Sequence, residues 1–400
     1  MSRRDSVLVL TSTYPRWRGD STSPFVKELT EQVQRRGYPG HQYVLAPHSA
    51  GAPRTEQDGD ISITRVQYMV PASAQNVFYD GGAANKSRGG LFLIGAASYI
   101  VALFACAVWK ILRYRDIGII HAHWIVPQGL VAVVAGWLLR RKVLVTVHGG
   151  DIFTARGKWS ARLARFVLAK ADIVAVNSTV TEAACRALCD REYLFAPMGV
   201  DMDDFASAPA QTGDRSRNIV FAGRLSPEKG VEFLIEALRA LDAETSLTIL
   251  GDGPRRAALV RLAAEAGVAD RVSFEGWVPH DAMARHLHSA TVFVAPSITL
   301  ANGWREGMGV VYLEAIFCGV PVVTTRSTGA RDFIEEGVTG YVVEERSASA
   351  LADAVSKVFR GGTDDARIAA HAAHLRRIYG WPACAERYAS AYRDLAPHRS

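Results

Sequence analysis

The amino-acid sequence predicts an α/β protein made of two doubly wound domains that face each other across a cleft. Short runs rich in β-branched residues alternate with longer helical patterns from one end of the chain to the other. The chain has 400 residues, which is more than one hydrophobic core usually serves. A polar stretch with proline and glycine but no apolar period, residues 197–218, separates two such patterns. Two parallel sheets, each covered by helices on both faces, are therefore expected.

The predicted strands form one set in each half of the chain. In the first half they are Val7–Thr11, Tyr43–Ala46, Ile61–Val66, Ile117–His121, Val143–Val147, Ile173–Asn177 and Tyr193–Ala196. In the second half they are Ile219–Ala222, Ser246–Leu250, Val272–Glu275, Val292–Ala295, Val320–Thr324 and Tyr341–Val343. We place the two domains at residues 1–200 and 215–379. The last helix, about residues 380–396, is expected to fold back onto the first domain.

Charge is unevenly distributed between the two halves. Residues 1–200 hold 24 Lys and Arg against 14 Asp and Glu, whereas residues 201–400 hold 22 against 26. The basic half predicts an anionic partner. No zinc-finger spacing, basic heptad helix or aromatic RNA-binding motif is present, so a phospholipid surface or a phosphorylated substrate is favoured over a nucleic acid.

The cysteines and the first residues indicate a cytoplasmic protein. Five cysteines are scattered through apolar runs, unlike a disulfide framework. Cys185 and Cys189 lie one helical turn apart, but no further ligand pair is near them, so no metal site is expected. The apolar run Val7–Leu10 is too short for the core of a signal peptide.

One apolar segment complicates that assignment. Residues 91–109 contain no charge and are flanked on both sides by Lys and Arg, and this length would admit a membrane span. The segment lies between two predicted strands of one sheet, so a crossing would separate strands that must pair. Packing inside the domain, or peripheral contact between the basic N-terminal domain and the inner face of a membrane, remain as the two alternatives.

A glycine turn in the second half displays two cations. In "FAGRLSPEKG" a predicted strand ends at Ala222, a turn follows at Gly223, and a helix begins near Gly230. Arg224 and Lys229 are then presented at the carboxyl end of a strand, beside the positive end of a helix. Two fixed cations at such a place suit a diphosphate, although a solvated loop would have the same sequence.

Two carboxylates stand in an otherwise small and apolar stretch, "REGMGVVYLEAIFCGVPVV". Glu306 and Glu314 are eight positions apart, which corresponds to ~12 Å along a helix. A helix of about ten residues is expected after a turn at Glu306–Gly309, leaving backbone N–H groups of Met308–Val310 unpaired. This pattern predicts that the two carboxylates hold hydroxyl groups of one extended, doubly charged ligand, with its phosphates at the start of the helix.

These motifs in combination resemble family 4 of the retaining glycosyltransferases, which have the two-domain GT-B architecture. Further stretches that carry the resemblance are "STYPRWRGDSTSPFVKEL", "HAHWIVPQGL", "VTVHGGD", "FAPMGVD", "LTILGDGP", "VSFEGWVP" and "APSITLANGWREG". They are spread over nearly the whole chain. The wording of the last stretch is closest to members that build bacterial exopolysaccharides and lipid-linked oligosaccharides.

The resemblance implies a role for particular residues. The catalytic set is His148 beside the transferring sugar, Glu306 on its hydroxyls, and Arg224 and Lys229 on the diphosphate. The other donor-binding residues are Gly19 and Asp20 in the first loop, Asp151 beside the histidine, Trp277 and Val278 at the base, Gly307, Met308, Gly309 and Val310 at the helix start, and Glu314 at the ribose. Met198 replaces an asparagine that is common in the family linker, so no role is assigned to it.

Two further features bear on the acceptor and on metal. Tyr14 and Arg16 lie in the first loop, and His123 ends a strand, so all three are candidates for acceptor contact. His121 and His123 alternate on one strand without a third ligand. The Asp-x-Asp spacing in Asp201–Asp204 lies in the linker and is interpreted as solvated.

The resemblance implies a retaining, metal-independent transferase that needs no cofactor. It would move a hexosyl unit from a UDP- or GDP-sugar to a saccharide or polyprenyl-diphosphate-linked acceptor, by same-face attack in which the leaving phosphate accepts the proton of the acceptor. Two alternatives stay open. One is a sugar-nucleotide epimerase or phosphorylase on the same architecture, and the other is a non-catalytic protein that binds a sugar nucleotide or a membrane.

Overall fold

The fold is described from a computed structural model that covers residues 5–17, 20, 24–75, 77–79, 90–201, 205 and 217–396. The chain divides into two compact units. The N-terminal unit comprises Met1–Asn177, Thr181–Gly199 and Trp381–Ser400, and the C-terminal unit comprises Ser178–Val180 and Val200–Gly380. Gly19 and residues 202–204 of the Asp-x-Asp stretch, both singled out in the sequence, lie outside the described residues.

The N-terminal unit is built on an eight-stranded sheet with the order β3-β4-β2-β1-β5-β6-β7-β8. All neighbours are parallel except β3 and β4. The edge strand β3 was not predicted, because it is fully exposed and has no apolar side to reveal it. The strands are β1 (Ser6–Leu10), β2 (Gln42–Pro47), β3 (Thr55–Asp58), β4 (Ile61–Val66), β5 (Ile117–His123), β6 (Lys142–Val147), β7 (Ile173–Val176) and β8 (Leu194–Phe195).

Helices cover this sheet. They are α1 (Phe25–Arg35), α2 (Gly90–Arg113), α3 (Leu130–Leu139), α4 (Gly150–Phe153), α5 (Lys158–Lys170), α6 (Thr179–Arg186) and the chain-terminal helix α13 (Trp381–Leu395). Among the described residues, α2 is the one helix long and apolar enough to cross a membrane by length and composition. It is joined to β4 and β5 of the one sheet, and Tyr99, Leu103, Ala107 and Ile111 on one of its faces are buried.

Helix α13 is part of the N-terminal unit although it follows the whole second unit in sequence. The Tyr392 hydroxyl lies 2.6 Å from Nδ1 of His121 on β5, and the Tyr388 hydroxyl donates to the Ala196 carbonyl oxygen at 2.9 Å. A Cβ atom on Gly199 would lie 2.3 Å from the Trp381 ring, so only glycine lets the chain pass there.

The C-terminal unit holds a six-stranded, all-parallel sheet with the order β11-β10-β9-β12-β13-β14. This is the order of a dinucleotide-binding doubly wound sheet, in which ligands bind beyond the carboxyl ends of the strands where the order reverses. The reversal falls between β9 and β12. The strands are β9 (Asn218–Ala222), β10 (Ser246–Leu250), β11 (Val272–Gly276), β12 (Val292–Ala295), β13 (Val322–Thr325) and β14 (Gly340–Val343).

The helices of this unit are α7 (Val231–Ala237), α8 (Arg256–Glu265), α9 (His280–Ser289), α10 (Val310–Phe317), α11 (Ala348–Phe359) and α12 (Asp365–Tyr379). Two of them begin at conventional caps, where the side chains of Ser347 and Asp364 accept hydrogen bonds from free backbone N–H groups. Helix α10 has no side-chain cap: its N-cap residue is Gly309, with a φ of 72°, and its first helical residue is Val310. Two parallel, helix-covered sheets confirm the predicted fold class.

Candidate active site

The turn after β9 carries the two predicted cations. Arg224 is exposed, and Lys229 ends a short 3₁₀ turn, Pro227–Lys229. Gly230 then adopts a φ of 61°, and a Cβ atom there would lie 2.3 Å from the Pro296 carbonyl oxygen. Glycine is therefore required twice over at the start of α7, by backbone conformation and by space.

A second glycine-containing loop, after β10, packs against this turn. A Cβ atom on Gly251 would lie 2.0 Å from the carbonyl oxygen of Gly223, and one on Gly253 would lie 2.5 Å from that of Leu225. The Leu225 N–H donates to the Asp252 carbonyl oxygen at 2.9 Å. The two backbones are thus in direct contact. This contact keeps the turn at the surface of the unit and leaves Arg224 exposed.

Lys229 reaches the first predicted carboxylate. Its Nζ lies 2.5 Å from Oε1 of Glu306. The other carboxylate oxygen, Oε2, accepts hydrogen bonds from Ser297 Oγ at 2.9 Å and from the Tyr312 hydroxyl at 3.1 Å. The predicted diphosphate cation and the predicted sugar-binding carboxylate therefore meet at one place, at the carboxyl end of the sheet of the C-terminal unit.

The environment of Glu306 keeps this carboxyl ionised. Burial by itself would raise its pKa, but the charge of Lys229 and the hydrogen bonds from Lys229, Ser297 and Tyr312 outweigh burial and leave the pKa lowered. An ionised carboxylate accepts hydrogen bonds and donates none. Glu306 is thus suited to bind hydroxyl groups and unsuited to act as a proton donor.

Sequence reasoning missed Ser297 and Tyr312. Ser297 follows β12 by two residues, and Tyr312 is the one hydroxyl-bearing residue within α10. The Tyr312 ring packs over Gly309, where a Cβ atom would lie 2.4 Å from the ring and 3.1 Å from Cδ of Glu306. Neither residue stands out in the local sequence, so the sequence contained no signal for these two contacts.

The second carboxylate has a separate partner. Glu314 lies on α10 and is buried, and its Oε1 is 3.5 Å from Nε2 of His280 at the start of α9. His280, which the sequence analysis also missed, packs edge-on against Phe205. Helix α10 begins at Val310, so Glu306 lies in the turn before the helix, as the sequence predicted, and Glu314 lies within the helix.

Four other predicted donor residues, Trp277, Val278, Met308 and Val310, lie in the same unit. Trp277, directly after β11, has 67 % of its surface exposed, and Val278 is half-buried. Met308 is buried, and Val310 is exposed at the first turn of α10. Trp277 thus presents a large aromatic face beyond the carboxyl end of the sheet, as a base-stacking residue would require.

In the N-terminal unit, His148 follows β6 and joins a chain of three imidazoles. Its Nε2 lies 3.0 Å from Nδ1 of His123, whose ring in turn is centred 4.2 Å from the ring of His121. Phe25 and Trp124 pack against the His148 ring at 5.1 and 4.8 Å. His123, an acceptor candidate in the sequence, is therefore a direct neighbour of the predicted catalytic histidine.

Trp124 has strained backbone geometry. Its φ of 73° and ψ of 147° lie where a bulky L-residue is rare, a strain of about 1–3 kcal/mol that commonly marks a functional loop. Its N–H donates to the Thr146 carbonyl oxygen at 2.9 Å, and the next N–H, of Ile125, donates to Oδ2 of Asp151 at the same distance. These bonds hold the Trp124 ring against His148.

Burial shifts the pKa values in this cluster. Burial lowers the pKa of His121 to about 3, with a further lowering by His148, and it lowers the pKa of His123 well below the ordinary value. The pKa of His148 is also lowered by burial. Burial raises the pKa of Asp151 to about 6, against the opposing effect of several backbone N–H groups. The three imidazoles are therefore neutral at neutral pH.

This arrangement predicts acid sensitivity. Below pH 6.5 the unfolded chain protonates His121, His123 and His148 while the folded chain does not, so each histidine costs up to about 1.4 kcal/mol of stability per pH unit as the pH falls. Asp151 acts in the opposite direction between pH 6 and 4, because its folded state binds the extra proton. With three histidines opposed by one carboxyl group, we expect a net loss of up to roughly 2.8 kcal/mol per pH unit in that window.

Urea unfolding of the wild type, His121→Gln and Asp151→Asn at several pH values from 7.5 to 4.5 checks this pH dependence of stability. His121→Gln should flatten the pH dependence and Asp151→Asn should steepen it. Comparing variants cancels the carboxylates that titrate elsewhere. Three parallel pH profiles would contradict the prediction.

The first loop is held internally. Arg16 Nε lies 2.8 Å from Oδ2 of Asp20, and the Arg16 guanidinium stacks over the rings of Trp17 and Tyr79. Tyr14 is 3 % exposed and packs in the core. A predicted acceptor residue and a predicted donor residue are therefore ion-paired to each other, while the acceptor role of Tyr14 stays a prediction.

Within the described ranges, no group of three or more His, Cys, Asp or Glu side chains is arranged to hold a metal ion. The five cysteines are free. At the C-terminal site, Arg224 and Lys229 supply positive charge on the turn after β9.

Comparison with known proteins identifies the family. The family described as "Glycosyl transferases group 1" matches residues 204–374, and the one described as "Glycosyl transferase 4-like domain" matches residues 22–192. A GDP-mannose-dependent alpha-(1-6)-phosphatidylinositol monomannoside mannosyltransferase from Mycobacterium tuberculosis is 33 % identical over 270 residues, covering 62 % of this chain and 68 % of that protein. A D-inositol 3-phosphate glycosyltransferase from Xylanimonas cellulosilytica is 28 % identical over 414 residues, covering 94 % and 92 %.

Solved structures agree on the fold. A sucrose-phosphate synthase from Thermosynechococcus elongatus aligns with a TM-score of 0.75 at 21 % identity, covering 98 % of each chain. HepE from Anabaena, solved with UDP, aligns with a TM-score of 0.73 at 19 % identity, covering 97 % of this chain and 100 % of that chain. The two Rossmann-like units, the family matches and these relatives together show that the chain belongs to family 4 of the glycosyltransferases with the GT-B fold.

Proposed function

We propose that this glycosyltransferase is a retaining, metal-independent enzyme that moves a hexosyl unit from a UDP- or GDP-sugar to a saccharide or polyprenyl-diphosphate-linked acceptor. The observation that carries the proposal is the contact of Lys229 with Glu306, at 2.5 Å, on the switch-point edge of the C-terminal sheet. A cation and a carboxylate at one point suit a ligand with a phosphate next to a sugar.

The chemistry follows from the residue types. Breaking the bond between sugar and diphosphate develops negative charge on the leaving phosphate, which Arg224 and Lys229 stabilise electrostatically in place of a metal ion. Glu306, ionised and fixed by Ser297 and Tyr312, binds sugar hydroxyls. The leaving phosphate accepts the proton of the acceptor on the same face of the sugar, which retains the anomeric configuration.

Donor recognition continues along the same edge. Trp277 and Val278 contact the base, and Glu314, with His280 beside it, contacts the ribose. The mycobacterial relative is named as GDP-mannose-dependent, and HepE was solved with UDP. These names favour GDP and UDP as the nucleotide of the donor. A thermal-shift panel of UDP- and GDP-sugars tests this step, because a donor at 100 times its Kd should add about 2.7 kcal/mol of stability.

The acceptor side is assigned to the N-terminal unit. His148 is the catalytic residue there, with Asp151 beside it, and Arg16 and His123 belong to the acceptor region. The basic surplus of this half and the apolar segment 91–109 favour contact with the inner face of a membrane by a cytoplasmic protein. The mycobacterial relative named above is a phosphatidylinositol monomannoside mannosyltransferase, which favours a lipid-linked acceptor.

Transfer of radiolabelled sugar from the donor identified by thermal shift tests the reaction. We expect transfer to persist in EDTA, and NMR of the purified product to show the anomeric configuration of the donor. Loss of activity in EDTA would overturn metal independence, and an inverted product would overturn the retaining mechanism. Donor binding without transfer to any acceptor would favour a non-catalytic protein, and conversion of the donor to another sugar nucleotide would favour an epimerase.

His148→Ala is expected to lower transfer about 10²-fold, a usual size for losing one positioned polar group. The nucleotide-induced thermal shift should remain, because the nucleotide residues lie in the other unit. His41→Ala is the matched control, since His41 is a half-buried histidine on the same sheet, at the start of β2. Equal transfer by both variants would remove His148 from the catalytic set.

A further inference from the structure

Helix α2 has apolar residues on the face that points away from its own unit. Tyr99, Leu103, Ala107 and Ile111 are buried on the sheet side. The opposite side is formed by Ile94, Ala97, Val101, Ala105, Trp109 and Leu112, all exposed. This stripe is about 27 Å long at 1.5 Å per residue.

The exposed apolar residues of α2 are unusual for a helix whose outer face contacts water. A surface helix normally carries charged and polar side chains on its outer face. Between residues 91 and 109 there is no charged residue, and Val101, in the middle of the stripe, is 69 % exposed. A contiguous apolar surface of this kind marks an interaction site.

Helix α3 extends this surface, which the sequence analysis did not anticipate. Helices α2 and α3 pack side by side, and they lead into β5 and β6, which pair in parallel with Ile119 opposite Lys142. The last turns of the two helices therefore lie together at the amino edge of the sheet. Trp137, 81 % exposed, and Leu138 lie in the last turn of α3, and the exposed Trp109 and Leu112 lie in the last turns of α2.

Basic residues border this two-helix face. Of the seven charged residues between positions 90 and 142, six are Lys or Arg. Four basic residues are exposed at the ends of α2 and α3 or directly after them: Arg113, Arg115, Arg140 and Lys142. Lys142 pairs with Asp172, and Lys110 is buried against aromatic rings. The two-helix face therefore combines aliphatic residues with tryptophan and arginine at one end. This composition is typical of a surface that enters the headgroup region of an anionic membrane.

We propose that the exposed faces of α2 and of the last turn of α3 form a docking surface for an anionic lipid bilayer, with the Trp109 and Trp137 side chains at the headgroup level. Helix α2 lies in the plane of the interface and does not cross it, because its other face is buried on the sheet. This inference rests on the proposed lipid-linked acceptor for its purpose. Its physical basis, the exposed apolar face with a basic border, is independent of any acceptor.

Vesicle co-sedimentation of the full chain tests the surface. The wild type should bind vesicles of phosphatidylcholine mixed with phosphatidylglycerol, and binding should weaken at high salt and on pure phosphatidylcholine. Val101→Glu combined with Trp137→Glu should lower the partition coefficient at least tenfold, because two charges would enter the interface. Arg113→Ser with Arg140→Ser should lower binding on anionic vesicles alone.

Val260→Glu is the matched control, because Val260 is an exposed valine on α8 of the other unit. It should bind vesicles as the wild type does. Absence of wild-type binding, or equal loss in the control, would overturn the proposal. Self-association of the wild type that Val101→Glu abolishes, together with no binding to vesicles, would also overturn the proposal. A second copy of the chain would then be the partner of this surface.

The donor-induced thermal shift separates this inference from the proposed function. The Val101→Glu, Trp137→Glu variant should show the same nucleotide-induced shift as the wild type, which also shows that it is folded. Vesicle binding without sugar transfer by the wild type would leave the surface standing and defeat the proposed reaction. Sugar transfer to a soluble acceptor without vesicle binding would support the proposed reaction and overturn the docking surface.

Discussion

Replacing Lys229 with methionine is expected to lower kcat/KM for sugar transfer by about 10³-fold, the upper range for losing one preorganised charge at a developing oxyanion. Methionine keeps the length of the side chain but removes the cation that faces the leaving diphosphate. Glu306 would keep its hydrogen bonds from Ser297 and Tyr312 and lose its charge partner. Steady-state rates with the identified donor measure the loss.

Glu306→Gln should reduce the rate by a similar factor, and the double variant should be little worse than either single one, because the two residues act as a unit. Lys229→Arg should recover part of the activity, since the charge returns with a different shape. Losses that simply multiply would indicate that the two side chains bind separate parts of the donor.

Stability has to be measured alongside these rates. The side chains of Lys229 and Glu306 are 16 % and 13 % exposed, so removing one partner also leaves a charge in a partly desolvated place. Arg326→Met is the matched control, because Arg326 forms a 2.5 Å pair with Glu344 in the same unit, with both side chains more than half exposed. Its rate and melting temperature should stay near those of the wild type. A comparable rate loss in Arg326→Met would refute the assignment.

Truncation after Gly380 is expected to unfold the N-terminal unit. It removes α13, whose side chains Trp381, Tyr388, Tyr392 and Leu395 are buried in that unit. Burial of each such side chain contributes about 1.5–3 kcal/mol, so their joint loss approaches the whole stability of a domain, about 5–15 kcal/mol. The loss would also leave His121 without its hydrogen bond to Tyr392.

Calorimetry distinguishes the two units in this experiment. The truncated chain should lose one unfolding transition while the other, with its nucleotide-induced shift, remains. Truncation after Ala396 is the control and should leave both transitions. Retention of both transitions by the shorter chain would show that α13 is dispensable to the unit it packs against.

The sequence predicted those features of the fold and of the site that depend on local residue patterns. Continuous β-branched runs predicted two buried parallel sheets, and both are present. The glycines around Arg224 and Lys229 predicted a turn at the end of a strand, and Gly223 and Gly230 have φ values of 151° and 61°, which favour glycine. The exposed strand β3, by contrast, has no apolar alternation and gave no signal.

Contacts between distant segments could not be derived in this way. Ser297 and Tyr312 have ordinary sequence surroundings, and the hydrogen bonds that aim them at Glu306 exist only after β12 and α10 have packed. His280 reaches Glu314 from the start of another helix.

The sequence by itself determined the class of fold, the family and the chemical types at the donor site, because periodicity and motif spacing are local properties of the chain. Only the tertiary structure decided that Lys229 is paired with Glu306, that three neutral histidines touch one another, and that α2 has an apolar outer face. Burial and hydrogen-bond partners depend on which surfaces meet, and segments up to 271 positions apart, such as His121 and Tyr392, meet only when the chain is folded.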